Sequence, residues 1–148
     1  MLLVFVLGAS LSGCESRDNA QTVEPSQNAQ IVLGRPWAGP AAQEGLGVVK
    51  PNHVNFGGDP TGDFARLSWE TWGGSTATGT GYTIYIPPGS AYLRGRTEKG
   101  KIVAFDLGTC HEVQAYRAMT FYFPQHHETF NPDPAQADNI CDGPARHE

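Results

Sequence analysis

Cysteine and histidine are the residues of this chain best suited to chemistry, and most of them fall late: Cys110-His111, His126-His127 and Cys141, with His53 and His147 outside that stretch. Thiolate and imidazole are the ligand types that hold zinc, so Cys110, His111, His126 and Cys141 form a candidate metal set. Their spacing is unlike that of zinc motifs: neither C-x-x-C nor H-E-x-x-H occurs, and adjacent residues of a strand point to opposite faces, which separates His126 from His127. Nucleophilic catalysis needs a hydroxyl or thiol, a base and an orienting acid. There is no G-x-S-x-G, and Ser68, Ser75 and Ser90 sit in strand or turn contexts. Cys110 beside His111 is not thereby a thiol–imidazole pair, because catalytic partners are usually distant in sequence. Phosphate-loop and dinucleotide patterns are absent as well. Asp59 and Asp63 bracket a short D-P-T-G-D stretch, which has turn chemistry and lacks the oxygen-ligand series of calcium loops. No catalytic residue, metal or cofactor is assigned from these patterns, and an enzyme is not expected.

Cys14 stands apart from this set. It follows an apolar run, Leu2 to Ala9, and then Ser10-Leu11-Ser12-Gly13. The run is too short for a membrane-spanning helix, which needs about 20 apolar residues, and has the length of a signal-peptide core followed by small residues. Leu11-Ser12-Gly13-Cys14 resembles the lipobox of bacterial lipoproteins. The basic residues that usually open such a segment are not found before Arg17. The resemblance implies that the Cys14 thiol takes a diacylglyceryl group and becomes the N-terminus of an exported protein. A diacyl anchor, at about 0.8 kcal/mol per buried CH₂, holds a protein stably on a membrane. With Cys14 lipidated, Cys110 and Cys141 remain as an even pair in an oxidising setting, where disulfides persist. A Cys110–Cys141 disulfide is therefore the favoured reading, with metal ligation or free thiols as alternatives.

These residues need a scaffold, and composition bounds it. The 148-residue chain has the length of one domain. Glu15 to Gln30 carries one sizeable apolar residue, Val23, too little to offset the entropy of ordering, and reads as a tether. It extends through Arg35-Pro36-Trp37-Ala38-Gly39-Pro40, with Ile31-Val32-Leu33 able to dock as an edge strand. The net charge is −5, with acids gathered at Glu128, Asp133, Asp138, Asp142 and Glu148, which argues against nucleic acid as a partner. The one basic cluster, Arg94, Arg96, Lys99 and Lys101 in RGRTEKGK, reads as a solvated hairpin tip, with binding to phosphate or an anionic surface as the lesser alternative.

The domain itself alternates with period two. Phe64 to Trp72 places Ala65, Leu67 and Trp69 on one face and Arg66, Ser68 and Glu70 on the other, the pattern of a half-buried strand ended by Gly73-Gly74. Thr78 to Ile86 is β-branched and aromatic, with Gly79 and Gly81 marking a bulge or a close neighbour. Ala91 to Arg94 and Lys101 to Leu107 flank the basic turn as a hairpin closed by Gly108, and Ala115 to Phe123 is the last strong strand. A weaker strand lies within Val48 to Phe56. Five to seven short strands between Gly and Pro turns predict an all-β fold, a small antiparallel β-sandwich or barrel, with Trp69, Phe105, Phe121 and Phe123 in its core. Trp69 and Trp72, three apart, are expected on opposite sides of the sheet. Trp72, Arg94 and Arg96 form a candidate ligand surface.

The stretch Leu67-x-Trp69-x-x-Trp72-Gly73, continuing to Ala77-x-Gly79-x-Gly81, with the later Cys110 and Ala115-Tyr116-Arg117, resembles a motif of small exported actinobacterial proteins. The resemblance covers roughly residues 58–124. It implies a compact β domain outside the cell and transfers no catalytic or binding residue. The expectation is a signal peptide over 1–13, a lipidated Cys14 and tether over 14–44, a β domain over 45–143 and a tail over 144–148. Such a protein sits on the outer face of the cell membrane through its lipid and has a binding or structural role toward an envelope ligand or protein. The alternative is a metal-binding lipoprotein module built on Cys110, His111, His126 and Cys141.

Overall fold

The structure, a computed structural model, describes residues 30–37, 43–56, 58 and 60–143. The expected signal segment, Cys14, the part of the expected tether before residue 30 and the expected tail lie outside the described residues. Seven strands appear among the described residues: β1 (Val32–Leu33), β2 (Val54–Asn55), β3 (Asp63–Trp69), β4 (Ala77–Tyr85), β5 (Arg96–Cys110), β6 (Val113–Tyr122) and β7 (Asp138–Asn139). They form one curled sheet in the order β1-β6-β5-β4-β3-β2, with β7 also on β6. The all-β expectation holds, as a half-barrel rather than two stacked sheets. Its pairs are antiparallel except β1–β6, which is parallel. Antiparallel pairing is enforced where a short connection joins two strands, and no short connection joins β1 to β6.

The free edge of β6 is shared end to end. β1 pairs at Ala115 and Tyr116, and β7 takes up at Ala118 and Met119. The open side of the half-barrel is spanned by residues 44–48. Glu44 exchanges both backbone hydrogen bonds with Asn55 of β2, at 3.1 and 3.0 Å, and Leu33 of β1 donates to Val48 at 3.0 Å. Leu46, between these bridges, is buried in the core with Leu33, Val54, Phe64, Leu67, Ile102, Tyr116 and Ile140. The compact unit therefore begins near Ile31, not at 45. Leu33 is fully buried, and Trp37 packs on the same core.

Small inward residues on β4 and β5 make room for large ones. A Cβ on Gly81 would lie 2.8 Å from the Ala65 carbonyl oxygen and 2.9 Å from side-chain carbons of both Leu67 and Phe64, and one on Gly100 3.2 Å from the Phe64 ring. Opposite Gly81 the β3 register slips between Ala65 and Ser68, and Arg66 has φ of 54°. This bulge inserts one residue and breaks strict alternation. Phe64, rather than Ala65, consequently joins Leu67 and Trp69 on the core side.

Two expectations about strands are corrected. The basic stretch is not a hairpin tip: Thr97 to Lys101 lie inside β5, which pairs continuously with β4 from Tyr85↔Arg96 to Ala77↔Ala104, while Tyr92–Arg94 is a single 3₁₀ turn. Buried Gly100 explains why glycine here serves packing instead of a turn. Gly108 does not close the strand either. β5 continues to Cys110, and the turn to β6 is His111-Glu112, both with positive φ (46° and 73°), as a two-residue turn of type I′ requires.

β5 is covered on both faces. Ile102 and Ala104 face the barrel, while Val103 and Phe105 face outward under the C-terminal segment, where Phe130 meets Phe105 edge-on at 5.2 Å. Of the aromatic core expected from sequence, Phe105 and Phe123 are buried, and Trp69 and Phe121 are half-buried against the core. Among the described residues no helix is long and apolar enough to cross a membrane.

Candidate functional site

The richest polar cluster sits at the barrel end where β4 gives way to β5. Tyr85 closes β4 opposite Arg96, and Glu98 lies two residues on, opposite Thr83. After β6 the chain turns through a 3₁₀ segment, Pro124–His126, ended by His127 in the left-handed conformation. That turn lays the His126 ring flat on Tyr85, with centroids 3.7 Å apart and planes 3° from parallel. The Arg96 guanidinium lies 5.7 Å from the centroid of the same Tyr85 ring. Glu98 ties the group together by accepting from Gln125 Nε2 at 3.0 Å, from His126 Nε2 at 2.6 Å and from Arg96 Nε. The bonds from Gln125 and His126, followed by that from Arg96, hold the Glu98 carboxyl down at about 2. It is an anion with its acceptor positions filled, suited to fastening residues 123–128 to the sheet and poorly suited to taking a proton. On the outer face beside it, Glu70, Thr80, Lys99, Gly100, Lys101, Pro124 and Gln125 line a shallow groove of about 290 Å³. There Lys101 Nζ grips both Glu70 oxygens at 2.5 and 2.7 Å.

A second cluster lies on the open side of the half-barrel. His53 Nδ1 is 3.0 Å from Glu44 Oε2, and its Nε2 is 2.5 Å from Asp63 Oδ1. Both carboxylates can accept from the ring only when both its nitrogens are protonated, so the arrangement favours the imidazolium. Its pKa is raised by the Glu44 bond first, against a counteracting effect of burial, with Asp63 adding to the rise. This same contact takes the Asp63 carboxylate into a network with His53 and Asn55. Asp59, its expected loop partner, lies outside the described residues.

Cys110 and Cys141 form the expected disulfide, with Cα atoms 5.6 Å apart. His111, at the β5–β6 turn, places Nε2 3.1 Å from Asp142 Oδ1, which lowers the Asp142 pKa. Donor atoms of His111, Cys141 and Asp142 lie within 4.8 Å of one another, but the sulfur is already bonded to its partner. His126, fourth of the candidate metal ligands, stands with Glu98 near the start of β5, whereas Cys110 ends that strand. The structure thus does not bring the four together.

Trp72, Arg94 and Arg96 are likewise dispersed. Trp72 is not across the sheet from Trp69. The chain bends after β3, Glu70 and Thr71 both donate to Thr78, and the two indoles meet edge-on at 4.6 Å against the same core. Their N–H groups donate to the Pro51 and Ile31 carbonyls at 2.8 and 3.1 Å. The buried Tyr116 hydroxyl completes this corner, donating to the Gly74 carbonyl and accepting from the Gly73 amide, both at 2.9 Å. Arg94 and Arg96 lie by the other end of β4. Sequence reasoning missed Glu44, Asp63, Glu98 and Asp142 as imidazole partners, since each pair is made by folding and carries no local spacing signal. Among the described residues no serine hydroxyl is bonded to an imidazole.

Comparison of the chain with protein-family models, with curated proteins and with solved structures finds no match, an enzyme family included.

Proposed function

We propose that this chain is an exported lipoprotein, held on the outer face of the cell membrane through Cys14, whose small β domain binds or supports another envelope component. The observation that carries this reading is the Cys110–Cys141 disulfide, a bond that persists in oxidising compartments and is rare where thiols are kept reduced. It agrees with the lipobox-like Leu11-Ser12-Gly13-Cys14.

The test is growth of a bacterial host expressing the chain with an alkyne-bearing fatty acid, followed by fractionation. The wild-type chain is expected to carry the label and to sediment with membranes. Cys14→Ser is expected to lose the label and leave the membrane fraction. An unlabelled wild-type chain sinks the proposal.

A further inference from the structure

The loop joining β4 to β5 is hydrogen-bonded within itself, with exposed apolar residues at Tyr92-Leu93 followed by Arg94 and Arg96. Pro87-Pro88-Gly89 leaves β4, the Ser90 amide donates to the Pro87 carbonyl at 2.9 Å, and Tyr92–Arg94 makes one 3₁₀ turn closed by Arg94 to Ala91 and Gly95 to Tyr92, both at 2.9 Å. Gly95 lets this turn sit down on the sheet, since a Cβ there would lie 2.6 Å from Ile84 Cγ2 and 3.3 Å from Ile86 Cγ1. The result is a preformed projection. Leu93 is 95% exposed and Tyr92 47% exposed. Single exposed leucines are ordinary on protein surfaces, but this one adjoins an exposed tyrosine in a hydrogen-bonded turn.

Charge distinguishes it further. The chain is acidic overall, at −5, yet no Asp or Glu occurs between Glu70 and Glu98. Arg94 and Arg96 are both exposed, and among the described residues the Arg94 side chain makes no hydrogen bond or ion pair. We infer that the 91–96 turn docks on an anionic lipid surface, with Leu93 and Tyr92 entering the headgroup region and Arg94 meeting a lipid phosphate, while Arg96 stays bonded to Glu98. Tyrosine suits that interface because one end of its ring is apolar and the other polar, leucine supplies a wholly apolar side chain to enter it, and each cation near an anionic leaflet strengthens binding. A stable protein interface buries about 1,200–2,000 Å², far more than two apolar side chains on one turn supply, whereas a bilayer accepts a point insertion. The docking does not depend on acylation of Cys14.

The experiment uses the full chain carrying Cys14→Ser, so that no lipid is attached, in flotation with phosphatidylglycerol vesicles and with phosphatidylcholine vesicles. The apolar run 2–9 is common to every variant, so only differences between variants are read. Leu93→Ser is expected to weaken binding to the anionic vesicles about ten-fold. Arg94→Ser is expected to weaken it about five-fold, with the arginine's contribution fading in high salt. Both positions are exposed, and an unchanged thermal midpoint verifies that each variant folds. Equal binding of parent and variants to anionic vesicles, or no preference for phosphatidylglycerol, overturns the inference. Loss of binding to an acidic envelope protein without loss to vesicles also overturns it in favour of a protein partner.

Discussion

His53 is the residue whose contacts depend most directly on pH. Its two nitrogens serve Glu44 and Asp63 together only when both carry protons, and its pKa is raised in the folded chain. The sign follows from linkage: a raised histidine contributes stability in full below its unfolded value, about 6.5, and that contribution is lost as pH rises through the higher folded value. The window therefore begins near 6.5 and extends upward. The partners are partly exposed, so solvent screening keeps the effect small. The urea midpoint of the wild-type chain is expected to fall across this window more steeply than that of His53→Gln. Equal slopes for the two chains count against the imidazolium latch.

At the scale of elements, β4 and β6 were legible because alternation and terminating prolines are local signals. Thr78 to Ile86 is displaced from the observed strand by one residue, and the expected Ala115 to Phe123 compares with Val113–Tyr122. The basic part of β5 was not legible. Charges interrupt its apolar pattern, and glycine carries the same letter whether it turns a chain or sits beneath an aromatic ring, as Gly100 does. The His111-Glu112 turn lacks the Asn-Gly type of signal. The disulfide pairing was legible by counting, and its structural consequence appears only in the fold. Cys141 follows Ile140, whose amide donates to the Arg117 carbonyl and whose carbonyl accepts from the Arg35 amide, so the bond anchors a segment that clasps both β6 and the N-terminal strand. Closing a loop with sequence separation 31 contributes about 3–4 kcal/mol by the chain-entropy estimate. Replacing both cysteines by alanine is expected to cost up to that amount. In hydrogen exchange, the Ile140 amide should lose protection first, while those pairing β4 with β5 keep theirs. Uniform loss across the sheet would mean instead that the bond supports the whole fold at once.

For the whole molecule, the decisive feature is how the half-barrel is shut. Its edges, β1 on β6 and β2 on β3, are not paired with each other. The short 44–48 segment reaches both, with Val48 on Leu33 and Glu44 on Asn55. Trp69 and Trp72 add indole bonds from the end of β3 to Pro51 and Ile31, so the tryptophan pair reads as closure hardware. Leu46 is the one side chain of the spanning segment placed in the buried core, at 4% exposure. Removing it leaves a cavity where two edges meet, and large-to-small changes of this kind cost about 2–5 kcal/mol. Leu46→Ala is therefore expected to lower the unfolding free energy by that amount in urea titration. A closure that works as one unit also makes a spatial demand. The Leu33 and Asn55 amides, which donate to Val48 and Glu44, lie at opposite edges of the opening and should lose exchange protection together in that variant. If the Asn55 amide loosens while that of Leu33 does not, the two bridges are independent and the spanning segment does not close the opening as one unit.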